Sequence, residues 1–246
     1  MFERLGICPV DAPTADQWLL TRTTDDRRAL TLTRPDGVAL SIDFTSGKAQ
    51  HRTTESGKGA QVLGRALGIK AYVKKTSQHP VIIDATGGLG QDAWALASIG
   101  CTVCIIEQHP LIHALLDDAI TRAQHHDATA LIVQRVSLQH AMAEAVLRDL
   151  CAQTAANAIY LDPMYPQKRK SASSKKGMQF LQALLGVPSD EHNRSLLDSA
   201  LEAGASRVVV KRPKGASALA NAEAFNAQLS CVESPNTRFD IYHLHQ

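Results

Sequence analysis

From Val81 onwards, the sequence alternates short apolar runs with longer segments whose apolar residues recur at helical spacing. The short runs are apolar on both faces, which is typical of strands in a parallel sheet covered by helices on both sides. The closing FDIYHLH is predicted to pair with RVVVKRP at 207–213 as an antiparallel edge strand. The alternation therefore predicts an α/β fold built on a parallel sheet.

The N-terminal part of the chain has a different pattern. Residues 29–44 alternate apolar and polar residues on both sides of a Pro-Asp-Gly turn, as in a half-buried hairpin. A short helical pattern at 60–67 precedes a break at 77–80. We predict a small N-terminal α+β domain at 1–77, with a role in substrate binding, and a catalytic domain at 78–246.

The composition favours a cytoplasmic enzyme. No apolar run approaches the roughly 20 residues that span a bilayer, and the N-terminus has charge and proline where a signal peptide is apolar. The five cysteines are scattered and odd in number, unlike a disulfide framework. The CxxC of Cys101 and Cys104 lies in an apolar run and is interpreted as buried strand. Histidine and cysteine spacings indicate no metal site.

The sharpest motif is VIIDATGGLGQD at 81–92, an apolar strand followed by an acid and by a glycine loop that opens a helix. Ligands of such sheets bind beyond the carboxyl ends of the strands, and glycines let them approach the backbone. Asp84 suits a cationic group such as the ammonium of a methionine moiety, and would repel a pyrophosphate. The motif therefore predicts an S-adenosylmethionine site with the following residues: Asp84, Gly87, Gly88 and Gly90.

Two further strand ends are predicted to complete this donor site. CTVCII ends at Glu107, whose carboxylate can accept hydrogen bonds from both ribose hydroxyls, and Gln108 beside it is predicted to contact the adenine. The run ALIVQRV at 130–136 is predicted as the third strand. Val136 and Ser137 at its end are predicted to contact the adenine edge.

An Asp-Pro-x-aromatic motif follows the fourth predicted strand, in YLDPMYP at 160–166. An exocyclic amine of a base is a poor nucleophile because its lone pair is delocalised into the ring. The Asp162 carboxylate and the Pro163 carbonyl can accept its two N–H groups and localise that lone pair. Tyr165 offers a ring on which the base can stack, worth about 1 to 3 kcal/mol. The motif predicts methyl transfer to such an amine.

Positive charge is concentrated in two segments although the net charge is only +2. Residues 163–189 contain five cations and no acid, directly after the predicted base pocket, and 56–83 has the same balance. Such segments indicate contact with phosphates. The predicted RNA-binding residues are Lys168, Arg169, Lys170, Lys175, Lys176, Lys211 and Arg212.

Taken together, these stretches resemble the ribosomal RNA small subunit methyltransferase J family, through DATGGLGQDAWALASIG, CTVCIIEQHP, YLDPMYPQKRKSASSKKGMQ and RVVVKRP. The resemblance implies a class I, Rossmann-like methyltransferase fold. It also implies transfer from S-adenosylmethionine to the N2 amine of a guanine in 16S ribosomal RNA, either naked or in the small subunit. The donor contacts that it implies are Gln91–Asp92, Glu107–Gln108, Val136–Ser137 and Asp162.

Three departures from the family pattern affect donor contacts. GGLGQD stands where the family has AGLGRD, Gln108 stands where it has arginine, and Val136–Ser137 stand where it has a serine pair. The acid and glycine positions are intact, so we expect weaker donor contacts and the same reaction.

Several alternatives stay open at the level of sequence. The Asp-Pro motif also serves amino methyltransferases that act on adenine N6 or on a protein amide, although the basic run favours nucleic acid. GLGQDA also fits the dinucleotide fingerprint of nicotinamide-dependent oxidoreductases. A non-catalytic RNA-binding module would keep its RNA affinity after Asp162→Ala. The sequence does not indicate an oligomeric state.

Overall fold

The computed structural model describes residues 14, 16–26, 28–46, 57–165, 176–219, 222–235 and 237–244. Their strands are β1 (Leu19–Arg22), β2 (Leu30–Thr33), β3 (Ala39–Ser41), β4 (Val81–Asp84), β5 (Thr102–Glu107), β6 (Val136–His140), β7 (Ala158–Leu161), β8 (Arg207–Pro213), β9 (Ala227–Glu233) and β10 (Thr237–Leu244). Their helices are α1 (Gly57–Ala66), α2 (Ile69–Thr76), α3 (Gln91–Ser98), α4 (Pro110–Gln124), α5 (Ala130–Val133), α6 (Ala143–Thr154), α7 (Lys176–Leu185) and α8 (Asp190–Glu202).

The larger sheet has seven strands in the order β6-β5-β4-β7-β8-β10-β9. Strands β6, β5, β4, β7 and β8 are parallel, and β10 is antiparallel to both of its neighbours. The predicted α/β fold is confirmed, and so is the pairing of the last strand with β8. The predicted edge position is wrong, because β9 lies outside β10.

Two hydrophobic clusters cover the two faces of this sheet. Ile82 and Ile83 are adjacent in β4 but belong to different clusters, because successive side chains of a strand point to opposite faces. Trp94 of α3 lies in one cluster and Leu197 of α8 in the other. Strands covered in this way need apolar residues throughout, which explains why the pattern after Val81 was readable from sequence.

The predicted third strand is wrong. Residues 130–133 form the short helix α5, and β6 begins only at Val136. The register pairs Val136 with Val103 and His140 with Glu107, so the carboxyl end of β6 is His140. Periodicity alone does not distinguish a short apolar run in a strand from one in a helix.

A three-stranded antiparallel sheet of β1, β2 and β3 packs against α4. The predicted hairpin is confirmed by β2 and β3, whereas β1 was not predicted. Buried Asp118 of α4 accepts hydrogen bonds from the Leu30 N–H at 3.0 Å and from Arg22 and Arg122 at 2.6 and 2.8 Å. The hairpin shares an apolar cluster with the larger sheet. A domain boundary at residue 77 stays a prediction.

None of the described helices combines the length and the apolar character that crossing a bilayer requires.

Candidate active site

A cavity of about 630 Å³ lies at the carboxyl edge of the larger sheet. It opens where the chain, after winding outwards through β4, β5 and β6, returns to β7 on the other side of β4. Such a switch point is where doubly wound sheets bind ligands. The predicted site residues that line the cavity are Asp84, Gly87, Gly88, Gly90, Gln91, Asp92, Glu107, Gln108, Asp162, Pro163, Lys176 and Lys211.

The glycine loop between β4 and α3 is packed closely against its neighbours. A Cβ at Gly87 would come within 2.8 Å of the Ile105 side chain, and one at Gly90 within 2.8 Å of Leu116. Gly90 also has φ +66°, a conformation that L side chains rarely adopt. These glycines are therefore required by packing and by the turn into α3 as well as by access for a ligand.

Glu107 at the end of β5 is held rigidly by backbone amides. Its Oε2 accepts the Gly88 N–H at 2.8 Å, and its Oε1 accepts the His109 N–H at 2.7 Å. Burial raises the pKa of Glu107, and these amides oppose the rise. Each carboxylate oxygen keeps a second lone pair, so a pair of ribose hydroxyls can still donate to it.

Asp84 at the end of β4 is 2% exposed and accepts hydrogen bonds from the Thr86 N–H at 3.1 Å and from the Thr86 hydroxyl at 3.3 Å. Burial raises the pKa of Asp84 to about 8, and the charges of Asp92 and Asp162 add to the rise. A buried carboxyl among like charges is relieved by a positively charged partner. The site is therefore suited to a cationic ligand group.

Lys211 joins the glycine-loop region to the Asp-Pro motif. Its Nζ donates to Asp92 Oδ2 at 2.9 Å and to Asp162 Oδ2 at 2.7 Å. The Tyr160 hydroxyl donates to the same oxygen of Asp92 at 2.6 Å, and the Asp162 N–H donates to Thr86 Oγ1 at 2.7 Å. Sequence reasoning missed Tyr160 and Thr86, because neither stands out in its motif until its partner is known.

The structure places Lys211 and Arg212, two of the predicted phosphate contacts, against partners within the protein, and their contact with RNA stays a prediction. Lys211 lies between two carboxylates. Arg212 is buried, and it donates to the Tyr165 hydroxyl at 3.0 Å and to the Ser217 carbonyl at 2.6 Å. Both side chains are therefore held by partners within the protein.

Tyr165 is not among the residues that line the cavity. The Arg212 guanidinium carbon lies 4.6 Å from the centroid of its ring. Burial raises the pKa of Tyr165 to about 12, so the hydroxyl stays neutral. Stacking of a base on Tyr165 stays a prediction.

The two basic segments lie in different places. Lys168, Arg169, Lys170 and Lys175 lie outside the described residues, and exposed Lys176 begins α7 at the cavity. The earlier segment includes α2, which leads into the amino end of β4 and so lies towards the opposite edge of the sheet. The cations of α2 therefore lie away from the cavity, and their contact with phosphates stays a prediction.

A further wall of the cavity was not predicted. It is formed by the chain after β6 and by the amino ends of α6 and α8: Ala141, Ala143, Glu144, Pro188, His192, Asn193 and Leu196. Val136 and Ser137 lie at the other end of β6, so their predicted adenine contact is wrong. A correct strand end at His140 would have pointed to this wall.

Within the described ranges, no cluster of three or more histidine, cysteine or acidic side chains is arranged to hold a metal ion.

Comparison with known proteins independently supports the interpretation of this chain as a methyltransferase. The family described as "Putative SAM-dependent methyltransferase" matches residues 4–244. The chain is 44% identical to ribosomal RNA small subunit methyltransferase J of Hydrogenovibrio crunogenus, over 87% of this chain and 73% of that protein. It is 39% identical to the protein of that name from Photorhabdus laumondii, over 93% of this chain and 92% of that protein.

A solved structure is also similar. The SAM-dependent methyltransferase from Neisseria gonorrhoeae matches with a TM-score of 0.74 and 31% identity, over 99% of this chain and 90% of that chain. These matches give no support to the nicotinamide-dependent alternative. The chain belongs to the ribosomal RNA small subunit methyltransferase J family, and its cofactor is S-adenosylmethionine.

Proposed function

We propose that this protein transfers a methyl group from S-adenosylmethionine to the exocyclic N2 amine of a guanine in the 16S RNA of the small ribosomal subunit. The observation that carries the proposal is the ion pair of Lys211 with Asp92 and Asp162, which joins the donor loop to an amine-binding motif. The names of the relatives support ribosomal RNA as the substrate.

The donor side uses residues that already fit the chemistry of S-adenosylmethionine, which supplies a methyl group on a positively charged sulfur. Glu107 accepts the ribose hydroxyls, and Asp84 balances the ammonium group. Gly87 and Gly88 let the donor approach the backbone, beside Asp92 at the start of α3. Gln108, which follows the ribose acid, contacts the adenine.

The acceptor side uses Asp162 and Pro163. The Asp162 carboxylate and the Pro163 carbonyl accept the two N–H groups of the amine, which localises its lone pair on nitrogen. Thr86 fixes the Asp162 backbone, and Lys211 holds its carboxylate in one orientation and in the ionised form. After methyl transfer, an Asp162 oxygen holds the proton that the amine gives up.

Binding of RNA is assigned to the cations that follow the Asp-Pro motif in sequence. Lys176 lines the cavity, and the cations just before α7 follow the Asp-Pro motif directly: Lys168, Arg169, Lys170 and Lys175. Their phosphate contacts make affinity fall with salt. The N-terminal domain contributes residues 40–44 and 46 to the cavity wall and helps to select the substrate. The protein acts in the cytoplasm, on 16S ribosomal RNA or on the small subunit.

The test is transfer of radiolabelled methyl from S-adenosylmethionine to RNA and to small ribosomal subunits from cells that lack this protein, followed by nucleoside analysis. Label in N2-methylguanosine of small-subunit RNA is the expected result. Label in N6-methyladenosine or in protein would contradict the proposed acceptor. Comparison of naked RNA with subunits identifies the form of the substrate.

A further inference from the structure

One polar side chain in the cavity wall has no partner in the described part of the protein. Asn193, in the first turn of α8, is 1% exposed, and neither its Nδ2 nor its Oδ1 makes a hydrogen bond there. The turn itself does not need this amide, because the Asn193 N–H donates to the Ser189 carbonyl at 3.1 Å. Buried amides almost always have partners, and an unpaired one destabilises the fold. A partner from outside the chain would satisfy it.

The surroundings of Asn193 are mainly apolar. Ile106, Ala143 and Leu196 belong to one hydrophobic cluster and line the cavity, and Leu196 lies one helical turn after Asn193. Two nearby polar side chains face each other, with His192 Nδ1 3.9 Å from Glu144 Oε1. We call this wall the α6–α8 slot. A slot with apolar walls and few polar groups fits a flat heteroaromatic ring.

The position of the α6–α8 slot relates it to one part of the donor. Ile106 of the slot directly precedes Glu107, which takes the ribose in the proposed function. Asp84 takes the ammonium group and Gln108 contacts the adenine, so the edge of the adenine is the part of the donor to which no hydrogen-bonding group has yet been assigned. Ala141 and Ala143 after β6 offer no side-chain hydrogen bond to its edge.

We propose that Asn193 binds the edge of the adenine of S-adenosylmethionine, with Oδ1 accepting from the N6 amino group and Nδ2 donating to an adjacent ring nitrogen. A side-chain amide places a donor beside an acceptor, which complements this edge of adenine. The inference rests on the proposed function and adds a residue that determines recognition of the donor.

The experiment compares wild type, Asn193→Leu and Asn193→Ala by calorimetric titration with two ligands. One ligand is S-adenosylhomocysteine, and the other is its analogue with hydrogen in place of the N6 amino group. Wild type is expected to bind the analogue about ten-fold more weakly. Both variants are expected to bind S-adenosylhomocysteine about ten-fold more weakly than wild type and to lose the preference between the ligands.

The melting temperature without ligand distinguishes donor binding by Asn193 from a structural role. Loss of a structural amide would lower the melting temperature. Asn193→Leu is expected to keep or raise the melting temperature, because it replaces an unpaired buried amide with an apolar group. Ser195→Ala, on the exposed side of the same helix, is the matched control and is expected to change neither measurement.

An unchanged ligand preference in Asn193→Leu and Asn193→Ala overturns the inference. A lower melting temperature of Asn193→Leu, with equal loss of affinity for both ligands, overturns it as well, because the amide would then be structural. Failure of wild type to bind S-adenosylhomocysteine would instead contradict the proposed function.

Discussion

The charged cluster that holds the N-terminal hairpin on α4 and the charged cluster at the active site differ in their charge balance. The hairpin cluster pairs two acids with two guanidinium groups, and consists of Arg22, Asp43, Asp118 and Arg122. The site cluster sets three acids against one ammonium group, and consists of Asp84, Asp92, Asp162 and Lys211.

The pKa values of the acids follow this balance. Burial raises the pKa of Asp118, but hydrogen bonds from Leu30, Arg122 and Arg22 outweigh it and lower the pKa. In the site cluster, burial raises the pKa of Asp84 to about 8 and also raises that of Asp162, with Lys211 opposing the rise at Asp162.

The difference shows which cluster serves the fold and which serves a ligand. The hairpin cluster is complete within the protein, so its charges stabilise the packing of the hairpin. The site cluster has an excess of negative charge, which a positively charged donor relieves. Each of the following predictions breaks or sharpens this comparison.

The largest effect is expected from Asp162→Ala. Methyl transfer should fall by about 1,000-fold or more, because the acceptor amine loses a hydrogen-bond acceptor that acts at the reacting nitrogen. Affinity for S-adenosylhomocysteine should change little, whereas Glu107→Ala should weaken it about ten-fold or more. Single-turnover transfer and calorimetry separate the two effects. Equal loss of donor affinity in both variants would contradict this division of roles.

Removal of an acid from the hairpin cluster is expected to affect stability instead. Asp118→Ala removes a buried carboxylate that accepts from Leu30 N–H, Arg22 and Arg122, and leaves Asp43 as the remaining acid beside Arg122. It should lower the free energy of unfolding by about 2 to 3 kcal/mol. For a chain of this size, that corresponds to a fall in melting temperature of about 5 to 10 °C. Asp36→Ala, which removes a surface pair with partly exposed Arg34 and a hydrogen bond from the Val38 N–H, is the control and should cost less than about 1 kcal/mol. Equal effects of the two substitutions would refute the assignment of Asp118 as a structural acid.

Lys211→Met is expected to move the acid limb of the pH–rate profile. Lys211 lowers the pKa of Asp162, and the acceptor role requires the carboxylate, so the rate falls as pH drops through this pKa. Without the ammonium group the pKa of Asp162 rises further, which moves the acid limb to higher pH. Lys211→Arg keeps the positive charge, so its acid limb should lie close to that of the wild type. An acid limb that stays in place would show that Lys211 does not set the charge of Asp162.

The smallest effect is expected in the pH dependence of donor affinity. At pH 7 Asp84 is largely protonated in the free protein, and the ammonium group of the donor favours its carboxylate. Affinity for S-adenosylhomocysteine should therefore rise with pH up to about 8, by at most about ten-fold per pH unit. Calorimetry at pH 7 in buffers of different ionisation enthalpy should detect proton release, which Asp84→Asn should remove. Proton uptake on binding of S-adenosylhomocysteine would contradict the pairing of the Asp84 carboxylate with the ammonium group.

The motifs that the sequence placed correctly share one property. Asp84, Glu107 and Asp162 each follow an apolar strand directly, and the carboxyl ends of parallel strands meet at one edge of the sheet. Their meeting in one cavity could therefore be inferred without coordinates. The same argument failed for Val136 and Ser137, because the strand itself was misplaced by a few residues.

The sequence by itself determined the α/β class, the glycine loop, and the acids at the ends of β4, β5 and β7, because burial on both faces excludes polar residues from the strands. Only the tertiary structure decided which partner each polar side chain takes. Lys211 and Asp92 are 119 positions apart, and Thr86 and Asp162 are 76 apart. No local pattern encodes such a pairing, since it depends on how strands distant in sequence lie side by side. The same holds for Asn193, whose lack of a partner among the described residues is visible only once α8 is packed against the sheet.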